Sequence, residues 1–385
     1  MTNKKETQLV MITRTTLLLA LSFLALSIGC RKPTMRPNDL KNFKQVNLVA
    51  NTAEYHPVTV DPTLINAFGL AWSPNGVAWV NSVGGHVSEL YSAEGEVLRA
   101  VNIPSPADTI GGLPCGIVFS GGKGFNLDNG PSAFLFTGFD GVLSGWNGAS
   151  GNNAKRLRAS AGNSYTGLAI GANAGHNFIY GANFGARRID VWDTAFHRIP
   201  MSFVDPQLPE TYSPYNIQAV GDYLFVMYAE LSTFGANAGH GIAGAGKGFV
   251  SVFKTDGSFL RRFASEGTLN VPWGVTLAPG NFLENNDMVT NPKQNSGYNE
   301  STVNHDSKDP VILVGNFGDG RINVFSEDAR YLGQLKSHNQ TMVIDGLWAL
   351  SFAPATATSI DQKRLYFTAG PDNESDGLFG YLIKQ

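Results

Sequence analysis

Two cysteines in 385 residues cannot build a disulfide framework. Charge is scarce too: Asp, Glu, Lys and Arg make up 15% of the chain, against roughly 25% in an average soluble protein. The 28 Lys and Arg nearly balance the 31 Asp and Glu, and neither sign forms a long run. A surface that coats nucleic acid needs clustered cations to displace counterions, so nucleic acid is excluded as a partner. The seven histidines (56, 86, 176, 197, 240, 305 and 338) show no HExxH or paired spacing. No Gly-x-Ser-x-Gly elbow occurs, which leaves a hydrolase triad unsupported.

Long hydrophobic runs are also missing, with one exception near the start. Residues 17–28 (LLLALSFLALSI) are apolar, but about 12 residues cannot cross ~30 Å of hydrocarbon as a helix. The run suits a signal peptide, since Lys4, Lys5 and Arg14 precede it and Ser27, Ile28 and Gly29 lead into Cys30. That ending resembles a bacterial lipobox, with Ser27 where Leu is commonest. Residues 1–29 are expected to be a lipoprotein signal and Cys30 the lipidated residue; an ordinary secretory signal is the alternative. Met11 is an alternative start to Met1. Residues 30–44, polar and Pro-bearing, read as a tether. The expected location is the periplasmic or outer face of a bacterial membrane.

Glycine and aromatics, by contrast, are abundant: 44 Gly, 24 Phe, 12 Tyr and 6 Trp. They recur in register. The runs NAFGLAWSP (66–74), NVPWGVTLAP (270–279) and DGLWALSFAP (345–354) are copies of one pattern, with weaker copies at 113–119, 165–170 and 213–218. Aligning Gly69, Gly116, Gly167, Asn216, Gly274 and Ala349 gives repeats of about 50 residues, the later ones longer. Each copy is followed by two β-rich runs around a Gly, Asn or Asp turn, and often by a third. Four short strands per repeat is propeller periodicity, and six copies predict six blades. The last blade runs out before its outer strand, so residues 45–49 (QVNLV) at the other end are expected to close the ring. The fold is therefore predicted as all-β, one six-bladed β-propeller over residues 45–385, monomeric. Glycine in the inner strands fits the crowded axis, where backbones approach closely.

Several stretches extend the pattern: VNLV (46–49), DPTLIN (61–66), FVDPQLP (203–209), GFVSVF (248–253) and LNVPWG (269–274). GNFGDG (315–320), IDGLWA (344–349), YFTAG (366–370) and GLFG (377–380) continue it. Together they resemble a conserved family of uncharacterised secreted bacterial β-propellers, some with a PEP-CTERM sorting tail. The resemblance implies the fold and supplies no activity. This chain departs from it in lacking such a tail and in an Asn-rich insertion at about 281–310. More distantly the chain looks like NHL-type propellers and calcium-dependent lactonase or phosphotriesterase-like propellers.

In such a ring, the connections into each inner strand share a face with the turns between second and third strands. Asn66, Asn216, Asn270 and Asp345 would then ring the channel mouth, with Asp319, Asn183, Asn316, Asp140 and Asp372 nearby. Oxygen donors converging from several blades would suit Ca²⁺; equally, Asn and Asp satisfy turn and strand-end backbone. Phe68, Tyr215, Trp273 and Trp348 recur beside them, either to stack on a ligand or to wedge between blades. Cys115 reads as a buried core thiol. Two partial motifs fail. GIAGAGKG (241–248) has Gly248 where a phosphate loop needs Ser or Thr, and DNESDG (372–377) lacks the Glu that completes an EF-hand. Two functions remain: a binding or scaffolding module for a protein or glycan, and a metal-dependent hydrolase of lactones, esters or phosphoesters.

Overall fold

The computed structural model describes residues 37–235, 238–284 and 310–385. The expected signal, residues 30–36 of the tether including Cys30, and most of the insertion lie outside the described residues. Six sheets stand around one axis, each with four antiparallel strands, the last extended by the short parallel strand Thr59–Val60; this is the arrangement of a six-bladed β-propeller. Their inner strands are Ala67–Trp72, Pro114–Phe119, Tyr165–Asn173, Tyr212–Val220, Pro272–Ala278 and Leu347–Phe352. Each touches the next, and the sixth returns to the first. Among the described residues, helix is confined to short 3₁₀ turns such as Pro37–Leu40 and Gly148–Ser150.

The ring closes where the sequence ran short of a strand. Phe43–Ala50 pairs antiparallel with Leu378–Lys384 and completes blade six. It begins at Phe43, two residues inside the stretch expected to be tether. Both ends are pinned there: Lys384 Nζ, almost wholly buried, donates to the carbonyls of Asp39 (2.6 Å) and Leu283 (2.5 Å). Between blades the core is aromatic and aliphatic, as where Trp79 stacks on Phe134 across blades one and two.

The aligned glycines owe their identity to the neighbouring blade. A Cβ on Gly69 would sit 2.1 Å from the Cys115 carbonyl oxygen, and one on Gly274 2.6 Å from that of Trp348. On Gly116 it would meet the Gly167 carbonyl carbon and Leu168 nitrogen, each at 2.6 Å. Backbone cannot step aside as a flexible side chain can. Gly116→Ala should therefore cost about 1–3 kcal/mol in urea unfolding. Gly148→Ala, with nothing within 4 Å of the new methyl, should stay within about 0.5 kcal/mol of wild type. Equal effects of the two would show that the close approach does not matter.

Candidate functional site

The upper face is the one carrying the connections into the inner strands and the turns between second and third strands. Just below it, every inner strand breaks register with its neighbour. The breaks fall at Phe68, Cys115, Thr166, Tyr215, Trp273 and Trp348, each immediately before a member of the aligned set (Gly69, Gly116, Gly167, Asn216, Gly274, Ala349). A β-bulge re-aims the side chain it carries. Five of these six residues meet in one buried cluster with Phe184 and Val271, flanked by Phe139 and Phe317. Trp348 lies between Phe68 and Phe317, ring centroids 3.8 and 3.9 Å away, and Trp273 meets Phe68 edge-on at 5.2 Å. The cluster plugs the axis.

Three of the large rings are set by the backbone two residues upstream. Asn66 (φ 49°), Val271 (φ 49°) and Gly346 (φ 64°) are all left-handed. Glycine tolerates this, Asn does so moderately, and a β-branched Val pays of order 1–3 kcal/mol that the surrounding packing must offset. The bulges also free carbonyls, and the preceding blade satisfies several. Asn81 Nδ2 donates to the Cys115 carbonyl at 3.1 Å, Thr137 Oγ1 to that of Gly167 at 3.4 Å, and Thr368 Oγ1 to that of Phe68. Both central indoles are bonded: Trp273 Nε1 to the Thr166 carbonyl (3.0 Å) and Trp348 Nε1 to Asn66 Oδ1 (2.8 Å).

The expected calcium ligands each have a local partner. Asn66 Oδ1 accepts from Trp348, while its Nδ2 donates to Glu374 Oε2 at 2.7 Å. Asn216 Oδ1 accepts from the Ile217 amide and Nδ2 donates to the Trp273 carbonyl, both at 2.8 Å. Asn270 Oδ1 accepts from the Gly244 amide at 2.8 Å. Asp319 Oδ1 accepts from Asn316 Nδ2 at 3.0 Å, and the exposed Asp345 accepts from the Asp372 amide at 3.1 Å. Asn183 and Asp140 likewise accept turn amides. Among the described residues, no three His, Cys, Asp or Glu are grouped to hold a metal. Phe68, Tyr215, Trp273 and Trp348, carried by four different blades, pack into one cluster and are at most 4% exposed.

Glu374 was not anticipated. It ends a turn with three successive left-handed residues, Asp372, Asn373 and Glu374. Burial pushes its carboxyl above the usual range, against the opposing pull of the Asn66 amide and of His240. Its bond to Asn66, whose amide oxygen holds the Trp348 indole, puts it beside the plug. Burial drives the Cys115 thiol well up, so it is not a thiolate nucleophile. His86 has Nδ1 2.9 Å from the Gly112 carbonyl. The two partial motifs are turns. Lys247 pairs with Glu230 at 2.8 Å, and Asp376 holds Asn51 and Tyr55 at 2.8 and 2.6 Å. Below the plug the axis opens into a cavity of about 280 Å³ lined by Gly, Ala and aliphatic residues, by Trp72, Phe119 and Trp273, and by Asn216 and Gln218.

No family model matches the chain. An uncharacterised protein of Acanthamoeba polyphaga mimivirus is 36% identical over 226 residues, 57% of this chain and 51% of its own length. A second from the same virus is 28% identical over 356 residues, covering 88% of this chain and 80% of the relative. A third is 33% identical over 212 residues, 53% and 33% of the two chains. The chain thus spans about half the length of the first relative. These relatives are viral, where the motifs had pointed to a bacterial secreted family. Among solved structures, the chain is similar to a gluconolactonase of Xanthomonas campestris (TM-score 0.45, 14% identity, 83% of this chain and 86% of that one). It is similar also to a streptogramin B lyase (0.48, 12%, 89% and 98%) and to the virginiamycin B lyase of Staphylococcus aureus (0.44, 11%, 89% and 99%).

Proposed function

We propose that the protein is a non-enzymatic binding module that docks a protein partner on its upper face. The observation that carries this reading is an axis closed by aromatics beneath exposed apolar residues on separate connections. Phe234 in the blade-four turn is 86% exposed, Val343 before blade six 57%, and Ile110 before blade two 51%. Apolar side chains around a closed mouth offer contact surface and no enclosed space for a reaction. A calcium-dependent hydrolase would need at least three oxygen donors within ~2.6 Å of one point. The oxygens of Asn66, Asn216 and Asn270 each accept an N–H bond, which leaves one lone pair apiece for such a cation. The same proposal has the chain exported, monomeric and held at a membrane surface by a lipid on Cys30.

The test replaces Phe234 or Val343 by photoreactive benzoylphenylalanine and irradiates the producing cells. A discrete protein adduct at both positions, missing when the probe sits at Asp222 on the lower face, is the expected result. An adduct at neither upper position sinks the reading. Turnover of a lactone or phosphoester panel that EDTA abolishes would then put the hydrolase in its place, and retention on a glycan array the carbohydrate alternative.

A further inference from the structure

On the flank of the ring, away from the axis, an open cavity of about 210 Å³ separates blades two and three. Tyr165, Trp192 and Phe196 line its depth, and Arg158 and Arg198 come to it from the outer strands of the two blades. Those outer strands carry Lys155, Arg156, Arg158 and Arg198, and the third strand of blade three and the turn before it add Arg188 and Arg187. That is a concentration of cations in a chain where charge is sparse.

The nearby carboxylates do not neutralise it. Asp190 is 1% exposed and fully occupied. One oxygen accepts from Arg188 Nε (2.7 Å) and Arg198, the other from Tyr165 Oη (2.9 Å) and Asn183 Nδ2 (2.8 Å). Asp193 stands 3.4 Å from His197. The remaining arginines reach only carbonyls. Arg156 bonds those of Ser105 and Asp108, Arg187 that of Glu210, and Arg158 that of its neighbour Leu157. Among the described residues, Arg158 has no carboxylate partner. One buried carboxylate therefore serves two arginines, while a third guanidinium lines the same cavity uncompensated. The exposed Ser160 hydroxyl completes the rim.

We infer that this cleft binds an oxyanion, a carboxylate, sulfate or phosphate group on a ligand, between the guanidiniums of Arg158 and Arg198. A guanidinium presents paired N–H donors that match such groups, and the Asp190 network holds the Arg198 side in place. The site lies on the flank of the ring, away from Phe234, Val343 and Ile110, and its binding does not depend on the docking proposal.

The test is calorimetric titration of the full chain with inorganic phosphate, sulfate and glucuronate, each alone, at low ionic strength. Saturable binding of at least one is expected, and the strongest of the three identifies the group. Arg158→Gln should weaken it at least 10-fold, because Arg158 makes no bond on which the fold depends. Arg321→Gln, which alters a surface arginine near Asp319 on blade five, should leave it unchanged. No saturation by any probe up to about 10 mM, or equal affinity in Arg158→Gln and wild type, would overturn the inference.

Discussion

Trp348→Ala should destabilise the protein by about 3–5 kcal/mol, the range for removing a large buried aromatic. Over a domain of this size that lowers the melting temperature by about 4–7 °C. The loss has two separable parts. Trp348 is stacked on Phe68 and Phe317, so truncation leaves a void that rings anchored on different blades cannot collapse to fill. Its indole also donates to Asn66 Oδ1, and without it a buried amide oxygen is orphaned. Trp348→Phe restores most of the ring and none of the bond, so it should cost about 1–3 kcal/mol. Urea unfolding of both variants measures the split. If Trp348→Ala cost no more than Trp348→Phe, the stacked plug would not be holding the six blades together.

The second large effect is a pH dependence centred on Glu89. This carboxyl is 1% exposed in the third strand of blade one, and burial beside Asp61 raises its pKa to about 7. Hydrogen counting agrees. Thr63 Oγ1 lies 2.6 Å from Asp61 Oδ1 and 2.5 Å from Glu89 Oε1, yet a hydroxyl has a single hydrogen. If it donates to Asp61, it must accept from Glu89, which only the protonated acid permits. Tyr91 Oη donates to the other oxygen of Asp61 at 2.8 Å, so Asp61 is the acceptor at both of its oxygens.

The folded state therefore holds the Glu89 proton more tightly than the unfolded chain does. Stability from this group is complete below about pH 4.5, falls as pH rises toward 7, and stays lost above. A shift from 4.5 to about 7 corresponds to about 3 kcal/mol. Glu89→Gln can still donate to Thr63 but cannot ionise. It should match wild type near pH 4.5 and exceed it by about 3 kcal/mol at pH 8.5. The check is urea unfolding of both proteins across that range; parallel curves would remove Glu89 as the cause. Glu374 and Asp140, also raised by burial, stay present in both proteins and cancel in the difference.

Glu89 illustrates a device used around the ring. Asp190 in blade three, Ser251 in blade four and Asn323 in blade five are also buried polar residues of third strands. Each bonds the start of its own blade's inner strand or the chain leading into it: Asp190 to Tyr165, Ser251 to Asp205 and Asn323 to Thr268. These bonds fix the connections, which in turn aim the inner strands. A fully apolar third strand would pack as well but would leave the entering loops without an anchor.

What the sequence determined alone was everything set by local pattern. The repeats counted six inner strands, the missing last strand pointed to residues 45–49, and the aligned glycines marked the crowded axis. Those features are periodic, and periodicity survives in one dimension. Tertiary structure decided the rest. A bulge is a mismatch between two strands, so which residue of Phe68-Gly69 or Trp348-Ala349 turns to the axis depends on the partner's register. Asn66 reads in sequence as a cation ligand, and only the fold brings Trp348 and Glu374, about 300 positions away, to its two ends. Arg158 and Arg198 look like scattered surface charges until two blades set them on one cavity. Chemistry that depends on pairs of distant residues is fixed by the closing of the ring, because only closure brings those pairs within bonding distance.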